Sequence, residues 1–441
     1  MVKYSDLLGE IDVKHRFRDP IYGFIWLTED ELKIVDSELF QRLRRIHQLA
    51  LTKYVYPAAE NTRFPHSLGV LQSATNIFLE LYRNNYNSLN EVMGDTVNLF
   101  KELRFAALLH DIGHMPFSHA TEDIFLDEGT THEDVSKHIV LDYKPFLSIF
   151  KKNNIKPEVI ANLFKGKLTS EYRILKKILS DSFDADRADY LLRDSYMCGV
   201  KYGLYDFQRF ISSFDFSKKT KDFTIKYGNI HSVESLLLAR YYYNMQVPFH
   251  RTRKGYDIVL KKFIEKYKEE IDCGIVIEDG KLKMDFEQFF FFDDNYVFEI
   301  IKRKYKEGDK FAKTLMRGEN KLHAVFDLEV KAEEKEYANE YGEFIQELKE
   351  KGFKENEDYF KFKETIKIHK LIKQSDEKEE TDYVVIKDGK EYDLLDLSAI
   401  LKSLKEPIVI YRVYIVSEKK GEAEKIYKNL KERHKKIKGN L

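Results

Sequence analysis

The sequence has few cysteines and no long apolar run. Cys198 and Cys273 are the only cysteines among 441 residues, which excludes a disulfide framework and a cysteine-rich zinc module. There is no run of roughly 18 apolar residues to span a bilayer. Residues 1–17 carry charges throughout, unlike a signal peptide. We therefore expect a cytoplasmic protein with no membrane partner.

An excess of charge of either sign is also lacking. The 74 lysines and arginines balance 75 aspartates and glutamates, for a net charge of -1, so the chain as a whole is not attracted to nucleic acid. Any polyanion must be bound by a local cluster of basic residues. Apolar residues make up 43% of the chain and aromatic residues 14%, enough to fill a sizeable core.

Helical periodicity dominates up to about residue 270. Apolar residues recur at helical spacing in several segments, and Asp36 or Ser37 is a suitable cap for the first of them. These segments are 39–49, 66–84, 100–110, 172–195 and 232–246.

The sequence pattern changes after residue 270. Residues 273–286 predict a strand–turn–strand unit around Asp279 and Gly280, and residues 329–366, rich in Lys and Glu, predict a solvated helix. Strands are predicted at 383–395 and 407–416, followed by a basic terminal helix. We predict a mainly α fold with a helical core (1–270), a helical or hairpin extension (271–324) and a smaller C-terminal α/β module (325–441).

A short stretch, LLHDIGHMPFSH at 108–119, concentrates three histidines and one aspartate. The apolar residues 105–109 indicate that His110 and Asp111 lie at the end of a buried helix. Burying a carboxylate costs several kcal/mol unless its charge is neutralised. A divalent ion would neutralise it, and imidazole and carboxylate ligands suit Mn, Fe, Mg, Zn or Ni.

Further donors lie elsewhere in the chain. His66, in RFPHSLGV, begins one apolar helix, and Asp186, in DADRADYLLRD, begins another. The aspartates of the DADRADYLLRD motif repel one another unless a cation lies between them. Taken singly, each of these residues is more often a core residue than a ligand.

The motifs RFPHSLGV, LLHDIGHMPFSH and DADRADYLLRD, in this order and spacing, resemble the HD-domain phosphohydrolase superfamily, and within it the deoxynucleoside triphosphate triphosphohydrolases. The resemblance covers about residues 14–260. It implies an all-α fold around the site, with His66, His110, Asp111 and Asp186 as ligands of a divalent metal. The implied reaction is attack of water on the α-phosphorus of a dNTP, which releases a deoxynucleoside and tripolyphosphate.

The resemblance also implies catalytic roles. His119 matches the general acid, and Glu122 would hold its tautomer and keep it protonated. His114 and His132 match histidines that contact phosphate. Any of the three histidines could instead serve only to bond a backbone carbonyl.

Substrate-binding roles follow from the same resemblance. They fall on Arg63 and Arg187, on Gln48, Leu49, Tyr190 and Asp194 around the sugar, and on His250, Arg251 and Arg253. The last three would supply positive charge because Gln246 stands where the vertebrate enzyme has an arginine. The alternatives are a surface ion pair for Arg63 and a plain core aromatic for Tyr190.

A second nucleotide site is implied at Asp36, Gln41, Arg44 and Arg209. It would bind a dGTP or GTP activator in a homo-oligomer, a dimer or tetramer. The alternative is a solvated polar helix face. Two other functions stay open: an HD-type phosphodiesterase or 3′–5′ exonuclease on single-stranded nucleic acid, and a non-catalytic nucleotide-sensing protein.

Overall fold

The computed structural model describes residues 5–219, 221–278, 281–367, 373–374, 379–380, 383–404 and 406–438. The chain forms two units, each built from three separate segments. The first unit contains Met1–Asn244, Glu269–Val297 and His369–Lys402, and the second contains Met245–Lys268, Phe298–Ile368 and Ser403–Leu441. The domain boundaries at 270 and 324 stay a prediction.

Helices make up most of the described chain. In order they are α1 (Ser5–Glu10), α2 (Glu29–Val35), α3 (Glu38–Arg42), α4 (Arg63–Met93), α5 (Thr96–Leu109), α6 (Glu122–Phe125), α7 (His132–Asp142), α8 (Lys144–Lys152), α9 (Pro157–Phe164), α10 (Ser170–Leu179), α11 (Ala185–Cys198), α12 (Phe207–Ile211), α13 (Ile230–Gln246), α14 (Arg251–Lys266), α15 (Phe286–Phe291), α16 (Asp294–Lys306), α17 (Lys310–Arg317), α18 (Lys335–Glu350), α19 (Leu394–Leu397), α20 (Ala399–Ser403) and α21 (Lys420–Lys438).

The strands are short and lie in small sheets. In order they are β1 (His15–Asp19), β2 (Gly23–Leu27), β3 (Phe214–Ser217), β4 (Asp222–Lys226), β5 (Ile275–Glu278), β6 (Lys281–Met284), β7 (Leu322–Lys331), β8 (Tyr359–Ile366), β9 (Lys373–Gln374), β10 (Glu379–Glu380), β11 (Val384–Lys387), β12 (Lys390–Asp393) and β13 (Ile408–Val416).

The first unit has a helical core in which the long helix α4 packs against α5 and α11. Leu71, Phe78 and Leu103 are among the side chains with 0–1% exposure in this core. Burial of such a side chain stabilises the fold by about 1.5–3 kcal/mol. The packing matters for function because His66 lies in the first turn of α4, His110 directly follows α5, and Asp186 lies in the first turn of α11.

The sheets of the first unit lie around this core. Strands β1 and β2 form an antiparallel hairpin, as do β5 and β6. A four-stranded sheet has the order β12–β11–β4–β3, in which β11 and β4 pair in parallel. The hairpin predicted near residue 280 is confirmed, although Asp279 and Gly280 lie outside the described residues.

The second unit contains a three-stranded antiparallel sheet with β13 between β7 and β8. Val413 and Ile415 of β13 join an apolar cluster with Phe344 of α18 and Ile426 of α21. The alternating Tyr414 faces the other way, where its hydroxyl donates to the Arg251 carbonyl oxygen at the start of α14. The sheet therefore lies between helices on both faces.

The predicted fold class, mainly α with an α/β part toward the C-terminus, is confirmed. Among the described residues, no helix is both long and apolar enough to cross a membrane.

Three predicted helices need correction. The helix predicted over 39–49 ends in a 3-10 turn at Arg45, because the next residues pair instead with 61–63: Arg63 N–H donates to the Ile46 oxygen and Gln48 N–H to the Asn61 oxygen. The helix over 172–195 is two helices, since Asp184 caps a new one by accepting from Arg187 N–H.

The predicted helix over 329–366 is also wrong. This region contains the end of β7, helix α18 and strand β8. The dense Lys and Glu content hid the few apolar residues of the two strands, such as Val330 and Tyr359, which belong to or pack against the apolar cluster with α18 and α21.

Candidate active site

Four side chains from three separate parts of the chain converge in the first unit. His66 Nε2 lies 3.1 Å from Asp186 Oδ1 and 3.5 Å from Asp111 Oδ2. His110 Nε2 lies 3.3 Å from Asp111 Oδ1 and 4.0 Å from Asp186 Oδ1. The structure therefore brings together the four residues that the motifs singled out.

Both imidazoles are held with the same nitrogen facing this centre. His66 Nδ1 lies 2.8 Å from Asp189 Oδ2, and His110 Nδ1 lies 2.8 Å from the Ala107 carbonyl oxygen. With each Nδ1 engaged in this way, Nε2 is the nitrogen that would bind a metal ion, in competition with a proton. Both Nε2 atoms are buried and make no hydrogen bond of normal geometry.

The charges of the centre favour a cation. Burial alone lowers the pKa of His66, but the contacts with Asp186 and Asp189 and the charge of Asp111 outweigh it and raise the pKa to about 10. Burial raises the pKa of Asp186, yet the His66 contact outweighs it and lowers the pKa to about 2. The donors fit a divalent ion of the Mn, Fe, Mg, Zn or Ni type, and three of them, from His66, His110 and Asp111, lie within 4.8 Å of one another.

A second cluster consists of His114, His119, Glu122 and His132, whose donor atoms also lie within 4.8 Å of one another. Glu122 accepts from both neighbouring rings: His119 Nδ1 and His132 Nδ1 each lie 3.0 Å from one of its oxygens. The rings of His114 and His132 stack with centroids 3.8 Å apart. His114 Nε2 lies 3.2 Å from Asp111 Oδ1, so Asp111 links this cluster to the cation centre.

Two histidines of the second cluster, His114 and His119, have lowered pKa values. Burial, then the charges of Arg63 and His132, holds the pKa of His114 well below its usual range. The surrounding protein lowers the pKa of His119, and the charges of His132 and Arg63 add to this, against the opposing contact with Glu122. Glu122 contacts the His119 ring, and its role in keeping that ring protonated stays a prediction.

Arg63 lies between the two clusters. It is 4% exposed, its Nη1 contacts Asp111 Oδ2, and its Nε donates to Ser118 Oγ at 2.9 Å. Arg63 is therefore a buried cation beside the centre, and not a partner in a surface ion pair.

Of the predicted sugar-binding residues, Gln48, Leu49 and Asp194 are buried and Tyr190 is half-buried. Asp194 is 1% exposed, and its oxygens accept from Asn61 Nδ2 at 2.8 Å and from the Tyr243 hydroxyl at 2.7 Å. The Tyr190 and Tyr243 rings lie 5.6 Å apart. Gln48 and Leu49 are 9% and 7% exposed, and within the described part of the chain Gln48 Oε1 has no hydrogen-bond partner.

Sequence reasoning missed Arg240. This half-buried residue of α13 has buried Nε and Nη1 atoms with no hydrogen-bond partner among the residues that the structure describes. Burial lowers its pKa, opposed by Tyr190 and reinforced by Arg187, so its guanidinium lies among these groups. Arg187 itself turns to Asp184 and the Asp181 carbonyl oxygen. Only the unpaired nitrogen atoms, which a sequence does not reveal, mark Arg240 as a candidate anion ligand.

The remaining predicted residues lie apart from these clusters or in the second unit. In the second unit, Arg251 is exposed, His250 Nδ1 accepts from Thr252 N–H at 3.3 Å, and Arg253 Nη1 donates to the Pro248 oxygen at 2.6 Å. Their substrate-binding roles stay a prediction.

The residues of the predicted activator site are polar and partly exposed. Gln41 Oε1 accepts from Arg44 Nε at 2.8 Å, and burial lowers the pKa of Arg44 against the opposing charge of Asp36. Arg209 is exposed on α12. Their role in binding an activator stays a prediction.

The helical fold and the His–Asp centre define a metal-dependent phosphohydrolase. The HD-domain profile matches residues 63–194. An uncharacterized protein of Bacillus subtilis, YwfO, is 30% identical over 329 residues, which cover 70% of this chain and 70% of that protein. The chain belongs to the HD-domain phosphohydrolase superfamily.

Other relatives support this placement. An uncharacterized protein of Methanocaldococcus jannaschii is 37% identical over 65% of this chain, but the match spans only 57% of that protein. A Dictyostelium discoideum protein described as a deoxynucleoside triphosphate triphosphohydrolase SAMHD1 homolog is 29% identical over 69% of this chain and 58% of its own length. The crystal structure of a hypothetical Aquifex aeolicus protein matches with a TM-score of 0.75 and 26% identity, covering 94% of this chain and all of that one.

Proposed function

We propose that the protein is a dNTP triphosphohydrolase, which splits a dNTP into a deoxynucleoside and tripolyphosphate. The observation that carries this proposal is the position of Asp111, which belongs to the cation centre and lies 3.2 Å from His114 of the histidine cluster. A site for a divalent ion thus adjoins a set of proton-carrying rings and buried arginines. The description of the Dictyostelium relative supports the choice of substrate.

His66, His110, Asp111 and Asp186 would hold the ion. When bound, a divalent ion supplies Lewis-acid stabilisation of charge on phosphoryl oxygens and lowers the pKa of water. Asp189 and the Ala107 carbonyl orient the two imidazoles toward it.

His119 would donate a proton to the departing 5′ oxygen, a poor leaving group without a general acid. Its Nδ1 faces Glu122, so Nε2 is the nitrogen left to meet the substrate. A bound triphosphate adds negative charge beside a ring whose pKa the free protein lowers, and this charge favours the protonated form. His114 and His132 would contact the phosphates.

Buried arginines would bind the triphosphate. Arg63 and Arg240 lie on the site with at least part of the guanidinium buried, and a guanidinium matches phosphate oxygens in geometry and charge. His250, Arg251 and Arg253 would add charge, and Arg187 would move from Asp184 to the phosphates. Gln48, Leu49, Tyr190 and Asp194 would enclose the deoxyribose.

Regulation and assembly form part of the proposal. Asp36, Gln41, Arg44 and Arg209 would bind a dGTP or GTP activator in a homo-oligomer. A full rate on a single dNTP without activator, by a protein that light scattering shows to be monomeric, would contradict this part alone.

The test is product analysis. Purified protein is incubated with Mn²⁺ or Mg²⁺ and each dNTP in turn, then with a labelled single-stranded oligonucleotide. Tripolyphosphate and deoxynucleoside are the expected products, and His119→Ala should retain the ion while losing about 10²- to 10⁴-fold in rate. Mononucleotides from the oligonucleotide alone would identify a phosphodiesterase or exonuclease, and no product at all a nucleotide-sensing protein.

A further inference from the structure

The β1–β2 hairpin has an unusual outer face. Its two cross-strand pairs are Arg16 with Trp26 and Arg18 with Phe24, so two arginines and two aromatic rings alternate on one side of a two-stranded sheet. Phe24 and Trp26 are 39% and 40% exposed, and both arginines are exposed. The opposite side is the buried one, where Ile25 is 0% exposed.

The four side chains form one surface. The Arg16 guanidinium carbon lies 4.6 Å from the Phe24 ring centroid and 5.5 Å from that of Trp26, and the Arg18 carbon lies 4.9 Å from Phe24. Planar cations thus lie over the aromatic rings, which remain partly open to solvent. This arrangement differs from that of Arg44, which lies over the Phe64 ring beneath the hairpin.

The arginines lack acidic partners. The acids nearest in sequence are engaged elsewhere: Asp19 pairs with Arg193 at 2.7 Å, Asp12 with Lys14 at 2.5 Å and Glu29 with His15 at 2.8 Å. Within the described part of the chain, neither Arg16 nor Arg18 forms an ion pair. The outer face therefore has two uncompensated positive charges in a protein whose net charge is -1.

The face is also held firmly. The Trp26 carbonyl oxygen accepts from Arg104 Nη2 at 2.8 Å, and Arg104, which is 1% exposed, pairs with Glu31 at 2.7 Å. Side chains presented by such an anchored strand keep their spacing. Neighbouring pairs on one face lie about 7 Å apart along a strand.

We propose that this outer face binds single-stranded nucleic acid without sequence preference, with bases stacking on Phe24 and Trp26 and two phosphates contacting Arg16 and Arg18. Alternating rings and cations are the chemistry of such surfaces, because every base has a stacking face and every nucleotide a phosphate. The proposal does not depend on the reaction at the metal centre.

The only tryptophan of the chain reports on this face, so its fluorescence provides the test. Metal-free protein, with a chelator to prevent hydrolysis, is titrated with oligo(dT) and oligo(dA) of about eight nucleotides, within the site sizes of such surfaces. Both should quench Trp26. Two phosphate contacts predict that log K falls with log salt at a slope of about -1.4.

Variants locate the binding. Arg16→Ala combined with Arg18→Ala, and separately Phe24→Leu, should each weaken binding at least about fivefold in anisotropy with a labelled oligonucleotide. Arg173→Ala, which removes an exposed arginine from α10, should change nothing. Unaltered affinity in both hairpin variants would overturn the proposal. A Trp26 signal that follows protein concentration but not oligonucleotide would also overturn it, because it would identify a second copy as the occupant.

Discussion

Asp189 accepts the Nδ1 proton of His66 across 2.8 Å, and the two residues, 123 positions apart in sequence, are both fully buried. Arg193 in turn contacts Asp189 through Nε at 2.8 Å and Asp19 through Nη1 at 2.7 Å. The buried contacts of Asp19, Arg193 and Asp189 thus fix the tautomer and orientation of His66, one of the proposed metal ligands.

Asp189→Asn tests this role. The amide is isosteric but does not require a proton on His66 Nδ1, so the proportion of rings that present a free Nε2 falls. We expect metal affinity to drop about 10- to 100-fold, the usual cost of losing such a partner. Competition with a chelator measures the affinity, and thermal melting of the metal-free variant checks that it folds. Wild-type affinity in a folded variant would remove Asp189 from the site.

Gly69 allows α4 and α11 to approach closely enough for this contact. A Cβ atom at residue 69 would lie 1.9 Å from Asp189 Oδ1 and 2.3 Å from Arg193 Nη2. We expect Gly69→Ala to destabilise the fold by about 1–3 kcal/mol, as overpacking does, and to weaken metal binding. Urea unfolding measures the stability. Gly228→Ala is the matched control because nothing lies within 4 Å of its added Cβ, and an equal loss in both variants would contradict the packing argument.

Much of this arrangement follows from local sequence, and part of it does not. The apolar residues 105–109 predicted that His110 and Asp111 end a buried helix, and apolar periodicity predicted a helix from His66. Periodicity also joined the helix that carries Asp186 to the one before it, which the structure separates. Which residues then come together depends on how α4, α5 and α11 pack. The motifs indicated this packing only through the family resemblance.

The failures have physical causes. The Lys- and Glu-rich segment 329–366 was predicted as a helix because charge density hid the few apolar residues of the strands, and the sheet that buries β7 and β8 depends on β13, which follows more than 40 residues later. Arg240 was missed because an unpaired buried guanidinium is a property of packing. The shared role of Glu122 required the approach of His132, ten residues away.

Glu102 gives the fold a pH dependence away from the site. It is 2% exposed, and burial raises its pKa to about 7, against the contacts with Tyr172 and Asn98. Because the folded state holds this proton more tightly than the unfolded state, with its pKa of about 4.3, stability is lost as pH rises from about 4 to 7.

Glu102→Gln removes this dependence. At pH 8 the variant should be more stable than the wild type by about 2–3 kcal/mol, and below pH 4 the difference should vanish. Urea unfolding across this pH range gives the comparison. A constant difference between the two proteins at all pH values would contradict a protonation effect.

Arg240→Gln tests the unpaired guanidinium. If Arg240 binds substrate phosphate, kcat/KM for a triphosphate substrate should fall about 10- to 100-fold through loss of a charged hydrogen bond. Metal content and stability should not fall, because no internal partner loses its bond. Arg173→Gln provides the control. A drop in stability with unchanged kinetics would show that Arg240 is structural.

The central claim, that side chains from α4, α5 and α11 share one ion, is tested most directly by metal analysis of protein purified without chelators or affinity nickel. Wild type and His119→Ala, loaded with Mn²⁺ and dialysed, should each retain one tightly bound ion per chain, while Asp111→Ala should retain none. Equal metal in Asp111→Ala and wild type, or none in either, would contradict the account.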